Sequence, residues 1–303
     1  MVFNYERTKD AGNEDGPVLK RLSQKTRSGI SYLARPGSGP TFVFLHGIGS
    51  NATSFLPVLD HLPEHLNILI WNAPGYLSSA PVDDPWPTPA TYAKALRQFL
   101  DDLQIASAHL VGHSLGTLIA ASFARQFPGY VQSLVLASAA QGYGVPKGAA
   151  LPDKVRTRID DLKRLGPVAF AMERAANLIH DPAANANLVS AVRTAMAEIN
   201  PEGYTQAVHL LASGDLAHDV AQLAICPGFI IGAQDRITPI EQTTRAARAW
   251  ETANKRKPPI HTIQNAGHAV YLQKPRAFCA ALMALTSENA QDATGNPFQN
   301  EDT

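Results

Sequence analysis

Cysteine is nearly missing from this sequence: there are two in 303 residues, Cys226 and Cys279. That excludes a small secreted scaffold held by disulfides, and a chain of this length can bury enough surface to do without one. Both cysteines fall in apolar runs and read as buried free thiols. An excess of charge is missing too. Lys plus Arg and Asp plus Glu number 26 each, so no net field draws in nucleic acid, and no basic stripe stands out. The expected partner is a small substrate, neutral or apolar. Long apolar runs are also wanting. No stretch reaches the ~18 uncharged residues of a membrane span, and the polar start, Met1-Val2-Phe3-Asn4-Tyr5-Glu6, lacks the apolar core of a secretory signal. A cytoplasmic location is the expectation.

What is present is the composition of an ordinary globular protein, 45% hydrophobic and 17% charged. Residues 1–16 read as a flexible arm and 287–303 as a disordered tail. Between them, short apolar runs alternate with longer helical patterns, as in a mostly parallel sheet covered by helices on both faces. Two runs, at 18–22 and 30–34, flank Arg27-Ser28-Gly29 and read as a hairpin. Apolar strands follow at 41–45, 67–71, 109–111 and 131–137. A helix over 89–103 places Tyr92, Leu96, Phe99, Leu100 and Leu103 on one face. Strand signals vanish over 141–217, where helical patterns take over. They resume at 226–232 and 259–263, with helices near 239–252 and 275–285. The spacing predicts an α/β core over 17–140 and 218–286, interrupted by a helical cap at 141–217.

One pentapeptide carries chemistry. Gly112-His113-Ser114-Leu115-Gly116 sits where a short apolar strand meets a helix stopped by Pro128-Gly129. A sharp strand-to-helix turn lifts a serine hydroxyl above the sheet edge, and it brings the positions two before and two after close together. Glycine at both avoids a collision. The following helix points its N-terminus at the same spot, so a developing anion there meets a favourable dipole and the backbone N–H of Leu115.

Serine is a poor nucleophile at neutral pH and needs a base whose ring is held in the correct tautomer by a third group. Downstream, Asp235 follows the run ending at Gly232, and His268 follows the last strand through Gln264-Asn265-Ala266-Gly267. Asp215 and Asp219 are fallback acids. A second oxyanion donor is expected from Leu45-His46-Gly47-Ile48-Gly49-Ser50, where two glycines let the backbone turn; Ile48 N–H is the choice. His46 and His113 read as hydrogen-bonded structural histidines.

Taken together, 45–50, 72–76, 111–116, 232–239 and 265–275 resemble an α/β-hydrolase of the lidded esterase and lactonase kind, over roughly residues 18–285. The resemblance implies a twisted eight-stranded sheet, a helical cap, no cofactor and no metal. It departs from relatives at Asn72 and Leu77, where Asp and a second glycine are common. The implied function is cleavage of a small carboxylic ester or lactone through Ser114, Asp235 and His268. Two alternatives stay open. One is a carbon-carbon bond hydrolase acting on a ring-fission diketone, although such relatives usually have a longer Gly-rich loop and Trp after the histidine, where this chain has Asn51-Ala52 and Ala269. The other is a hydrolase-fold receptor for a small molecule. Phe170, Met172, Ile179, Leu188, Met196, Tyr204 and Leu211 are candidates for a pocket wall. Arg174, Arg193 and His209 read as a solvated face.

Overall fold

The strand pattern has a simple physical origin: alternate residues serve two different cores. In Thr41–Leu45, Val43 and Leu45 pack into one apolar cluster, whereas Phe42 and Phe44 pack into the other. Leu134 and Leu136 of Val131–Ala137 likewise oppose Val135 and Ala137. A strand buried on both faces must read as a continuous apolar run, which is why these segments show no polar alternation. Each large aliphatic or aromatic side chain so buried contributes about 1.5–3 kcal/mol.

The computed structural model describes residues 23–293 of the chain. Eight strands form one sheet: β1 (Ser23–Arg27), β2 (Ile30–Arg35), β3 (Thr41–Leu45), β4 (Asn67–Trp71), β5 (Ala108–His113), β6 (Val131–Ala137), β7 (Gly228–Gly232) and β8 (Ile260–Ile263). Their spatial order is β1-β2-β4-β3-β5-β6-β7-β8. The β1–β2 and β2–β4 pairs are antiparallel and the rest parallel. The expected hairpin forms with Ser23–Arg27 as the partner of β2. The run at 18–22 and the arm at 1–16 lie outside the described residues.

Ten α-helices are described: α1 (Leu56–Leu59), α2 (Pro89–Asp102), α3 (Leu115–Gln126), α4 (Asp153–Arg174), α5 (Ala186–Ala197), α6 (Pro201–Ser213), α7 (Leu216–Ala221), α8 (Ile240–Asn254), α9 (Val270–Gln273) and α10 (Pro275–Ala293). Helix α2 starts with Pro at its first position, and Thr88 N–H donates to Thr91 Oγ1 at 3.1 Å. Its Tyr92, Leu96, Phe99 and Leu100 are fully buried, and Leu103 packs beside them. Helix α10 runs into the stretch expected as a tail from 287. Polar as it is, Ser287-Glu288-Asn289-Ala290-Gln291-Asp292-Ala293 contains good helix formers and no breaker before Gly295. Residues 294–303 lie outside the described residues. Among those described, no helix is long and apolar enough to cross a membrane. Both cysteines are buried free thiols.

Between β6 and β7 the chain holds α4 to α7 and an isolated bridge, Gly142 to Asp215, that draws its two ends together. Leu216 N–H donates to Gln141 O at 2.9 Å at the same neck. This segment has a small core of its own, in which Val155, Ile159, Leu162, Phe170 and Tyr204 are buried. It touches the loop after β4 at several points, most tightly at a pair of glycines. Gly203 of α6 lies against Gly75, and a Cβ added at Gly75 would stand 2.5 Å from the Gly203 Cα.

The two departures from relatives are accommodated after β4. Asn72 is buried, accepts from Ala52 N–H at 2.8 Å and donates to Ser31 Oγ at 2.9 Å. Leu77 takes φ +50°, a left-handed backbone that glycine adopts more readily.

Candidate active site

Ser114 stands between the end of β5 and the start of α3 with φ 52° and ψ −115°. A non-glycine residue there costs about 1–3 kcal/mol and persists only where its surroundings hold it. The surroundings do so from both sides. Ser114 N–H donates to Ala137 O at 2.9 Å, and its carbonyl accepts from Thr117 N–H at 3.0 Å and Thr117 Oγ1 at 2.6 Å. A Cβ on Gly112 would stand 2.5 Å from Gly116 O, and one on Gly116 would collide with the Leu45 carbonyl of β3. The glycines are therefore needed for the turn to close and also for α3 to sit against the neighbouring strand. Leu115 is the first residue of α3, so its N–H has no acceptor within the helix.

The loop after β3 is steadied by His46. Its Nε2 accepts from Ala73 N–H at 3.0 Å, which leaves Nδ1–H to donate to Gly47 O at 2.9 Å. Both ring nitrogens are thus used by the neutral form. Burial pushes this histidine down to about 4, against a weaker opposing effect of the Gly47 bond. Gly47 lies against Ser114: a Cβ added there would be 2.9 Å from the serine's Cβ. Ile48 follows and lines the same cavity as Ser114 and Leu115.

Asp235 and His268 come from the loops after β7 and β8. His268 Nδ1 lies 3.0 Å from Asp235 Oδ2 and 3.2 Å from Oδ1, with both residues buried. The carboxylate also accepts from the N–H groups of Ile237 and Thr238, each at 2.9 Å to Oδ1. Thr238 Oγ1 lies 2.9 Å from Oδ2. Burial alone would push Asp235 up, but His268 and these donors outweigh it and bring it to about 2, so it is ionised at neutral pH. The His268 carbonyl accepts from His113 Nε2–H at 2.9 Å and Ser138 Oγ at 3.1 Å. His113 is thereby a brace for the His268 loop, held neutral by burial, which lowers it to about 3.

Ser114 and His268 open on one cavity of about 450 Å³, walled by the sheet's carboxyl edge and by the helical segment. Among the described residues no hydrogen bond joins Ser114 Oγ to His268 Nε2. With Nδ1 engaged by Asp235, Nε2 is the ring nitrogen left for the cavity, and such contacts commonly tighten only with substrate in place. Of the expected wall, Phe170, Met196, Tyr204 and Leu211 line the cavity. Met172 points to solvent, and Ile179 and Leu188 pack elsewhere. Arg174, expected on a solvated face, lines the cavity, whereas Arg193 is exposed and His209 stacks on Trp86 at 4.2 Å. Asp215 caps α7, and Asp219 pairs with Arg125 at 2.8 Å, so both fallback acids are occupied elsewhere.

Sequence reasoning missed Thr117, Thr238 and Ser138, which hold the candidate residues without projecting a distinctive motif. The one available signal was Thr238, three residues after Asp235, a spacing that lets a side chain and its own N–H return to a carboxylate.

The model of the α/β hydrolase family matches residues 42–281. A 32% identical stretch of 129 residues is shared with the dihydrolipoyllysine-residue acetyltransferase component of an acetoin cleaving system from Cupriavidus necator; it covers 43% of this chain and 34% of that protein. The match thus spans about a third of that relative's length. A pimeloyl-[acyl-carrier protein] methyl ester esterase of Chromobacterium violaceum is 28% identical over 257 residues, covering 83% of this chain and 96% of the esterase. An esterase of Thermogutta terrifontis superposes with a TM-score of 0.75 at 19% identity, over 89% of this chain and 99% of that one.

Proposed function

The chain belongs to the α/β-hydrolase family, and from that premise we propose that it is a cofactor-independent serine hydrolase of small carboxylic esters or lactones. Ser114 Oγ attacks the carbonyl, and His268 Nε2 takes its proton. Asp235 holds the ring with Nδ1–H toward itself and stabilises the imidazolium. The N–H groups of Ile48 and Leu115 receive the oxyanion, each worth about 3 kcal/mol to the transition state. His268 returns the proton to the leaving oxygen, and water then releases the acyl group by the same steps in reverse roles. The segment 141–217 acts as the cap that closes the acyl pocket and excludes water.

The observation that carries this reading is the buried Asp235–His268 pair on a cavity shared with a strained serine at a helix N-terminus. The methyl ester named for the 28% identical relative supports an ester as the substrate class. The test is Ser114→Ala, assayed on a panel of p-nitrophenyl esters beside fluorophosphonate labelling. Wild type is expected to label at Ser114 and to turn over repeatedly; the variant is expected to lose both while keeping its thermal unfolding transition. Undiminished turnover by the variant would refute the mechanism. Cleavage of a ring-fission diketone in place of every ester would move the chain to carbon-carbon bond hydrolysis.

A further inference from the structure

Across the whole chain the charges cancel, but at the cavity they do not. Its wall carries four cationic side chains, Lys154, Arg158, Arg174 and Arg245, against one carboxylate, Glu241. Glu241 and Arg245 stand four apart on α8, where they can offset one another. Arg174 is shared with Asp161, whose Oδ2 lies 2.7 Å from Nη2, and that same carboxylate also receives Arg164 at 3.0 Å. Arg158 is different. Among the described residues it lies near the Tyr204 hydroxyl and has no carboxylate in ion-pair range. The Nε groups of both Arg158 and Arg174 are buried without an acceptor.

The cluster is a built one. Arg174 lies over the Phe170 ring at 4.4 Å, and Tyr204 meets the same ring edge-on at 5.4 Å. Tyr204 is itself buried. Phe170 therefore fixes one guanidinium on its face and packs against Tyr204, the neighbour of the other. A guanidinium is a permanent cation, and its planar fork of donors matches a carboxylate. Unmet donors in a partly desolvated cavity are costly, and an anion would satisfy them. The wall that these cations share with Ser114 also includes apolar Leu178, Met196 and Leu211.

We propose that the substrate carries a carboxylate at the far end of a short apolar chain, as in the half-ester of a dicarboxylic acid, and that Arg158, with Arg174, is the specificity-determining group that receives it. This rests on the serine-hydrolase reading of the same cavity, and it replaces the neutral partner suggested by the chain-wide charge balance.

The test compares methanol release from monomethyl adipate, neutral methyl hexanoate and cationic methyl 6-aminohexanoate at neutral pH. Wild type is expected to favour the carboxylate over the neutral ester by about tenfold or more in kcat/KM, the scale of one charge-assisted hydrogen bond, and to disfavour the ammonium ester. Arg158→Met is expected to bring the carboxylate-to-neutral ratio close to one, whereas Arg193→Met, on an exposed face of α5, keeps it. If Arg158→Met does not fold, Arg158→Lys carries the comparison, and is expected to keep only part of the preference. Equal handling of the three esters, or a preference that survives loss of the guanidinium, overturns the proposal. Calorimetry on Ser114→Ala separates the two readings. Tighter binding of monomethyl adipate than of methyl hexanoate, lost on adding Arg158→Met, supports the carboxylate site even if wild type turns over neither. Ester hydrolysis with no charge preference leaves the hydrolase reading standing and removes this one.

Discussion

The strand-to-helix turn at Ser114 and the helical segment above it handle the same cavity by different means. Around Ser114 the positions are set by backbone. Strand β5 feeds a residue with φ 52°, glycines admit the neighbouring carbonyls, and every residue from Leu115 to Ala124 of α3 is buried. In the helical segment they are set by side chains. Helix α4 buries Val155, Ile159, Leu162, Phe170 and Ala171, turns charged residues to solvent and to the cavity, and breaks at Gly166 (φ 71°, ψ 164°) ahead of Pro167. Backbone geometry is rigid and suits a reaction that needs atoms placed within fractions of an ångström. Side chains on a separate small core can be exchanged without disturbing that placement, which suits selection among substrates.

The strongest way to break this contrast is Asp235→Asn. Oδ1 accepts two backbone N–H groups, from Ile237 and Thr238, so the amide oxygen of an asparagine takes that position and its NH₂ faces His268 Nδ1. The histidine must then present a lone pair at Nδ1 and carry its proton on Nε2, where it cannot accept one from serine. A fall in kcat of about 10³–10⁴-fold is expected with the fold intact. Steady-state kinetics on a neutral p-nitrophenyl ester checks it, and a loss under tenfold would mean that Asp235 does not set the tautomer.

The same contrast explains what was legible in the sequence. Gly112, Ser114 and Gly116 could be read because a backbone constraint leaves few residue types possible, and spacing alone reports it. The alternation of two cores made each buried strand visible as an apolar run. The wall of the cavity was not legible. Phe170 and Met172 stand two apart on α4, and one is buried against the cavity while the other is 60% exposed. The break at Gly166 shifts the phase of the helix, so period 3.6 cannot be carried across it. Arg174 read as a solvated residue because Asp161, which pairs with it from across the break at Gly166, is brought to it only by folding; Phe170, four residues before it on α4, was the one mark in the sequence. Thr117 and Ser138 were hidden for a related reason: a hydroxyl that braces a loop looks like any other hydroxyl.

A smaller effect is expected at the joint between the two regions. A Cβ at Gly203 would meet the backbone of Gly75, which cannot swing aside as a side chain can. Gly203→Ala is expected to cost about 1–3 kcal/mol of stability by overpacking. It should raise KM more than it lowers kcat, because the next residue, Tyr204, lines the cavity near Arg158 while Ser114 is untouched. Urea unfolding and neutral-ester kinetics read the two quantities. A fall in kcat at constant KM would show that the joint supports the reaction centre and not the pocket.

The effect expected to be smallest at neutral pH is a matter of acid stability, and it falls on the turn side of the comparison. His113 is lowered to about 3 by burial and then by the nearby His268, and His46 to about 4 by burial. In the unfolded chain a histidine takes up its proton near pH 6.5, which the folded protein declines to do until the lower value is reached. Each therefore contributes stability that is fully present above about pH 6.5 and is lost as the pH falls through the folded value. The slope is at most about 1.4 kcal/mol per pH unit for each histidine. His113→Gln keeps an N–H donor for the His268 carbonyl and removes the titration. Its urea stability should decline less steeply than that of wild type between pH 6.5 and 4, with His46 supplying the slope that persists. Arg158→Met, on the other side of the cavity, should leave that slope unchanged, since it removes no group that titrates in this range. Equal slopes for wild type and His113→Gln would place the acid sensitivity outside the brace beneath His268, and with it the rigidity assigned here to that side of the cavity.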